Sequence, residues 1–234
     1  MKKLLCSIAV ALAAVAAPTL ASAQVSFNVG AVTDYRYRGI SQSRLKPAVQ
    51  GGVDYAAGPF YAGAWASTIK WIKDGGGDAS YELDLYGGVK GEAMPGLNYD
   101  VGVLRYLYPG SDLGVNPDTT EVYGALTYGP ATLKYSHAVT NLFGFADSKN
   151  SAYLDLSATF DVVGFAVTPH IGKQSVKNNG TFAYVDYSVT VAKEVMPGLT
   201  VSAMLVDTDT DKYVGKNNKD LGKAGLVIGA KFAF

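Results

Sequence analysis

The chain has 234 residues, 20 basic and 20 acidic side chains, two histidines and one cysteine. Balanced charge gives no electrostatic reason to expect a nucleic-acid partner, and a single cysteine excludes an internal disulfide framework. Only 17% of residues are charged, and 16 tyrosines with 27 glycines favour strands and tight turns over helices.

Residues 1–23 read "MKKLLCSIAVALAAVAAPTLASA". Lys2 and Lys3 precede an apolar run over 4–17, and Ala21-Ser22-Ala23 supplies a small-x-small ending. This predicts a secretory signal peptide cleaved between Ala23 and Gln24. Cys6 stands before most of the apolar run, the reverse of a lipoprotein signal, so the mature chain is expected to hold no thiol ligand or nucleophile. Without Lys2 and Lys3, 18 basic residues face 20 acidic ones. No later apolar run nears the roughly 20 residues of a membrane helix, although barrel strands give a far weaker signal.

From Gln24 onward the chain alternates with a period of two. Over 25–38, Val25, Phe27, Val29, Ala31, Tyr35 and Tyr37 share one face, while Ser26, Asn28, Gly30, Asp34, Arg36 and Arg38 share the other. The next clear segments are "AVQGGVDY" (48–55), "YELDLYGGVK" (81–90), "AYLDLSATF" (152–160) and "YVDYSVTVA" (184–192). Weaker alternation marks 60–69, 97–108, 119–128, 131–139, 164–172 and 199–208. In 97–108, Arg105 shares the parity of Val101 and Val103, which predicts either a bulge there or a strand end beyond the apolar zone. The twelfth segment, "LVIGAKFAF" (226–234), places Leu226, Ile228, Ala230, Phe232 and Phe234 on one face.

Connections after even-numbered segments are short, such as "AAGP" (56–59) and "YGP" (128–130); those after odd-numbered segments are longer and polar, such as "PGSDLGVNPDT" (109–119). An up-and-down meander with two unlike ends follows. "EAMPGL" (92–97) and "EVMPGL" (194–199) echo one another, and shared Pro-Gly turn chemistry explains the echo better than an internal duplication.

A soluble sandwich or lipocalin-like barrel would also alternate. Three features favour a membrane barrel. The polar face carries many charges, with Asp34, Arg36, Arg38, Asp54, Glu82, Asp84, Lys90, Asp100, Lys134, Asp155 and Asp186 all on it. Aromatic residues recur near segment ends, as in interfacial girdles. Segment lengths near ten residues suit a tilted membrane strand. Backbone groups in hydrocarbon have no water to bond, so the strands must close. The fold expected is all-β: a transmembrane antiparallel up-and-down β-barrel of about 12 strands, whose first and last strands pair. The alternating aromatic ending at Phe232 and Phe234 matches the signal by which outer-membrane proteins are recognised for insertion, so the barrel-assembly machinery and outer-membrane lipids are the expected partners.

"VGAVTDYRYRGISQSRLKPAVQGGVDYAAGPFYAGAWAS" (29–67) resembles the opening of the TorF family, small proteobacterial outer-membrane proteins classed as porins. The similarity continues through "YELDLYGGVKG" (81–91), "DVGVLRYLYPG" (100–110) and "TEVYGALTYGPATLKYSHAV" (120–139), with "DYRYRGIS" its most specific part. The resemblance implies an outer-membrane barrel acting as a porin, and it brings no catalytic residues.

Chemistry is sparse. His137 follows Ser136, but neighbours in a strand point to opposite faces, so His137 is expected at the apolar interface and His170 on the lumenal face with Thr168 and Gly172. No nucleophile-elbow, zinc-protease or phosphate-loop motif occurs. "DTDTD" (207–211) lacks the glycine and closing glutamate of a calcium loop and is expected to be a solvated loop. Neither metal nor cofactor is expected. Asp34, Arg36 and Arg38 fall on one lumenal stripe of the first strand, where a constriction and a structural pairing role both fit. The lumenal charges predict no strong ion preference. The function expected is passive diffusion of small hydrophilic solutes through an outer-membrane channel. A non-conducting structural or adhesive barrel is the alternative, ahead of a lipid-modifying enzyme.

Overall fold

The structure, a computed structural model, describes residues 23–234. The expected signal peptide therefore lies outside the described residues except for Ala23. Alternation forces each strand to put one face toward an apolar surrounding and the other toward a polar one. Twelve antiparallel strands do this: β1 (Gln24–Val32), β2 (Ala48–Ala57), β3 (Phe60–Thr68), β4 (Tyr81–Met94), β5 (Leu97–Leu107), β6 (Thr119–Tyr128), β7 (Ala131–Ala138), β8 (Ala152–Ala158, continued by Phe160–Val162), β9 (Phe165–Ser175), β10 (Tyr184–Met196), β11 (Leu199–Thr208) and β12 (Gly225–Ala233).

Each strand pairs with its sequence neighbours, and β1 pairs with β12, so the sheet closes into a barrel. Closure removes every free edge, which hydrocarbon requires. The seam runs from Asn28↔Ala233 to Val32↔Gly229. Phe234 extends it, exchanging both backbone hydrogen bonds with Phe27 at 2.8 and 3.0 Å, while its ring stacks on Phe27 and Phe232.

Along the twelve strands the predicted faces hold. Val25, Val29, Val49, Val101, Leu126, Leu133, Leu156, Ile171 and Leu205 all point outward and are exposed. An unbroken apolar belt of this kind is the lipid-facing surface of a membrane barrel. Exposed Tyr55, Phe60, Tyr128, Phe160, Phe165 and Phe234 ring the short-turn end, and Tyr81, Tyr135 and Tyr187 stand toward the other. Among the described residues no helix is long and apolar enough to cross a membrane.

The short turns centre on Gly58, Gly96, Gly129, Gly164 and Gly198, all with positive φ. The echoing Glu-x-Met-Pro-Gly stretches form the same turn twice. Each carries a register shift, between Glu92 and Met94 and between Glu194 and Met196. In each, the glutamate accepts a hydrogen bond from the glycine N–H, at 2.8 Å for Gly96 and 2.9 Å for Gly198. Shared turn chemistry therefore accounts for the echo. Arg105 lies in unbroken register opposite Thr120 and reaches Asp118 at 3.8 Å, so the strand end, rather than a bulge, explains its parity.

One segment departs from expectation. The alternation over 25–38 predicted a strand through Arg38, but β1 ends at Val32. Residues 33–47 then fold inward as a tight hairpin, Arg36–Tyr37 against Ile40–Ser41. Arg38 and Gly39 at its tip both have positive φ, 48° and 79°, the two-residue geometry that suits a right-twisted hairpin. A Cβ at Gly39 would lie 2.5 Å from Thr208 and 2.7 Å from Asp186, so the tip also needs glycine to seat against the wall. Tyr35 and Tyr37, expected on the lipid face, point inside instead.

Candidate functional site: the barrel interior

The interior has two storeys. In the short-turn half, tyrosines lie across the lumenal face and reach carboxylates two strands away. Tyr61 donates to Asp100 at 2.5 Å and also contacts the hydroxyl of Tyr123. Tyr86 donates to Asp54 at 2.5 Å. The cations rest on the same rings, with Lys134 4.0 Å from the Tyr123 centroid and Lys90 5.4 Å from that of Tyr61. Such contacts offset part of the cost of drawing an ammonium group out of bulk water. Glycine makes room for the rings. At Gly102 an added Cβ would lie 2.6 Å from the Tyr123 hydroxyl, and at Gly88 it would lie 2.5 Å from that of Tyr61. The high tyrosine and glycine contents are thus two halves of one packing device.

In the long-loop half, the hairpin carries Arg38 across the lumen. Its guanidinium forms two bonds to Glu121 on β6, at 3.0 and 2.6 Å, and one to Gln174 on β9 at 2.8 Å. It lies between the rings of Tyr37 (4.8 Å) and Tyr153 (4.3 Å). The Arg38 and Glu121 side chains are only 7% and 2% exposed. A fork-to-fork pair this deeply buried is geometrically specific, and it fastens the loop to the far wall. Tyr106 adds a bond to Glu121 at 3.2 Å and meets the Tyr37 hydroxyl at 2.5 Å.

Beside this latch, Tyr35 donates to Glu82 at 2.8 Å, whereas Asp84 keeps one buried oxygen without a partner. Asp186 accepts from Tyr153 at 2.9 Å, and His170 bridges Asp155 at 2.6 Å and Asp186 at 3.6 Å. His170 therefore lines the interior as the parity predicted. His137 faces outward against Tyr135 and Asn150. Among the described residues no group of three His, Cys, Asp or Glu side chains is placed to hold a metal ion. The DTDTD acids diverge to separate partners: Asp207 to Tyr187, Asp209 to the Val185 N–H and Asp211 to Lys212.

Asp54, Glu82, Asp84, Lys90, Asp100, Lys134, Asp155 and Asp186 stand on the strand faces opposite the exposed apolar residues, whereas three candidates stand differently from the expectation. Asp34, Arg36 and Arg38 do not form a stripe on a strand. Asp34 binds Ser41 and Ser43 and holds Arg36 at 2.5 Å. Arg36 also grips the carbonyls of Gly39, Leu221 and Lys223, which ties the hairpin to loop 209–224. Glu121 escaped the sequence reading because segment 119–128 alternates poorly. The Arg38-Gly39 dipeptide flanked by Tyr37 and Ile40 was the available sign of the turn.

The six long connections bond to one another around the rim. Gln42 accepts the Lys70 N–H at 2.8 Å, and Asp78 N–H donates to Ser111 at 3.0 Å. Phe143 N–H donates to Thr119, at the end of loop 108–118, and Asn178 donates to Asp147. Tyr213 donates to Phe182, and Ser41 N–H to Leu221 closes the circle. Beneath this rim lie buried Tyr35, Ile69, Ile72, Tyr106 and Tyr108. A cavity of about 270 Å³ opens between the hairpin, the turn at 71–75 and loops 139–151 and 209–224. Burial pushes the phenols of Tyr37 and Tyr213, both in its wall, above their ordinary range, so they remain neutral.

No curated protein matches this sequence. The fold is similar to solved outer-membrane channels. A KdgM porin in complex with disordered oligogalacturonate matches at TM-score 0.57 and 5% identity, over 91% of this chain and 99% of that one. The NanC porin matches at 0.57 and 12%, over 89% and 99%. A COG4313 outer membrane channel from Pseudomonas putida F1 matches at 0.52 and 12%, over 93% and 96%. At these identities the likeness is one of fold. Residues 16–234 match the Gcw_chp family, described as a bacterial protein of unknown function, and the chain belongs to that family.

Proposed function

We propose that the protein is an outer-membrane channel for passive diffusion of small hydrophilic solutes. The observation that carries this reading is the pairing of a lipid-facing apolar exterior with an interior lined by charged and hydroxyl groups inside one closed barrel. The shared fold with the KdgM and NanC porins supports it. In this reading the leader ending at Ala23 exports the chain, Phe232 and Phe234 present the last strand to the assembly machinery, and lipids surround the belt. Nothing in the mechanism requires a reaction. Solutes pass along a lumen whose width and charge select them.

Inward carboxylates at Asp54, Glu82, Asp84, Asp100, Glu121, Asp155 and Asp186 outnumber the inward cations Arg38, Lys90, Lys134 and Lys231. This reading carries a modest cation preference, where the sequence predicts no strong one. The Arg38 latch sets the constriction. Single-channel recording of the refolded mature protein in a KCl gradient tests the proposal. Small discrete steps with a cation-selective reversal potential are expected, and Arg38→Gln is expected to enlarge them. A folded, heat-modifiable barrel that never conducts would defeat the channel reading. It would leave a second one, favoured by the bonded rim and latch: a closed barrel with a structural or adhesive role.

A further inference from the structure

We propose that the cavity at the long-loop mouth is a binding site for a small, uncharged aromatic molecule. The cavity holds about 270 Å³, just under the roughly 300–1,000 Å³ of sites for drug-sized ligands, which limits the ligand to one or two fused rings. Its walls are rings: Tyr37, Trp71, Tyr108, Phe143, Tyr184 and Tyr213 all line it. These already pack edge to face among themselves, as in Trp71–Tyr108 at 5.0 Å and Tyr184–Tyr213 at 5.2 Å. A flat aromatic guest would extend the same arrangement.

Charge is absent from what the cavity offers. Its one ionised lining residue, Asp74, is held by the Arg44 guanidinium. The polar side chains in the wall are likewise spoken for. Ser41 donates to Asp34, Gln42 to the Ile40 carbonyl, and Gln174 accepts from Arg38 while donating to the Ala152 carbonyl. A polyhydroxylated or ionic ligand would lose its hydration without replacement. The site differs in character from the acid-rich lumen below the latch and does not depend on the barrel conducting.

Coumarin, a neutral fused bicycle, is a suitable probe. Isothermal titration would use the full mature protein in lipid nanodiscs, with empty discs subtracting partition into lipid. Saturable one-to-one binding is expected. Trp71→Ala removes one ring of the wall and is expected to weaken binding about tenfold. Val214→Trp adds bulk at an exposed wall position and is expected to abolish it. Heat-modifiable migration identical to that of the native chain would show that both variants fold. Absence of saturable binding, or an affinity unchanged in either variant, would overturn the proposal. Because the readout is heat and not current, its failure and that of the channel reading are separable.

Discussion

The two halves of the barrel share the same twelve strands but are organised by different forces. In the short-turn half, strands one to three places apart satisfy one another. A tyrosine on one strand covers a glycine on the next, and cations such as Lys134 and Lys90 rest on the rings. Contacts there are between strands a few positions apart, so the arrangement follows once the sheet is in register. In the long-loop half, a segment of the first connection crosses to the opposite wall, and the pairs it makes span 83 and 136 residues of sequence. The lesson is that a barrel's wall and its bore are separate problems: the wall is set by period-two patterning, and the bore by where one hairpin lands.

Breaking the latch is the sharpest way to test that separation. Arg38→Met leaves Glu121 as a buried uncompensated charge, and removing one partner of such a pair costs about 3–5 kcal/mol. The loss is expected at the long-loop end alone, read as faster hydrogen exchange of residues 33–47 and loop 209–224 with barrel strand protection intact. Combining it with Glu121→Gln should restore much of the protection, because the stranded charge is then gone. Uniform loss of protection in all strands would show that the two halves are not independent.

A substitution on the wall should act in the opposite way. Val101 is 56% exposed on the lipid face of β5, and Val101→Arg is expected to cost about 2–4 kcal/mol if it stands near the bilayer midplane. Urea titration of the protein refolded in vesicles would measure this cost, with no change in the rim contacts. Gly172→Ala comes next in size. Its Cβ overlaps the Tyr153 hydroxyl and approaches Asp186 at 2.8 Å, and overpacking of this kind costs about 1–3 kcal/mol. Since Tyr153 also supports Arg38, the same variant should loosen the latch, seen as increased exchange in 33–47. The smallest effect is expected from Tyr61→Phe, which removes the bond to Asp100 and should cost about 1 kcal/mol. It should leave loop exchange unchanged, and a measurable change there would blur the division between the halves.

Period and position in the chain determined a great deal. Alternation placed all twelve strands, assigned the inward and outward residues from Asp54 to Asp186, and required β1 to meet β12, because backbone groups facing hydrocarbon must all find partners. Pro-Gly spacing identified turns that prove identical at Glu92–Gly96 and Glu194–Gly198. Alternation failed at 33–38 for a physical reason. Asp34-Tyr35-Arg36-Tyr37-Arg38 keeps the polar-apolar rhythm of a strand, and local pattern cannot tell a lipid-facing tyrosine from one packed against Tyr106 inside the lumen. That choice is made by groups far away in sequence, namely Glu121, Gln174, Asp186 and Leu221, which come together only when the barrel has closed. The aromatic cavity has the same origin, since its walls come from segments that meet only at the rim. Strand identity is a local property of the chain, whereas the content of the bore is the sum of contacts that only tertiary closure brings within reach.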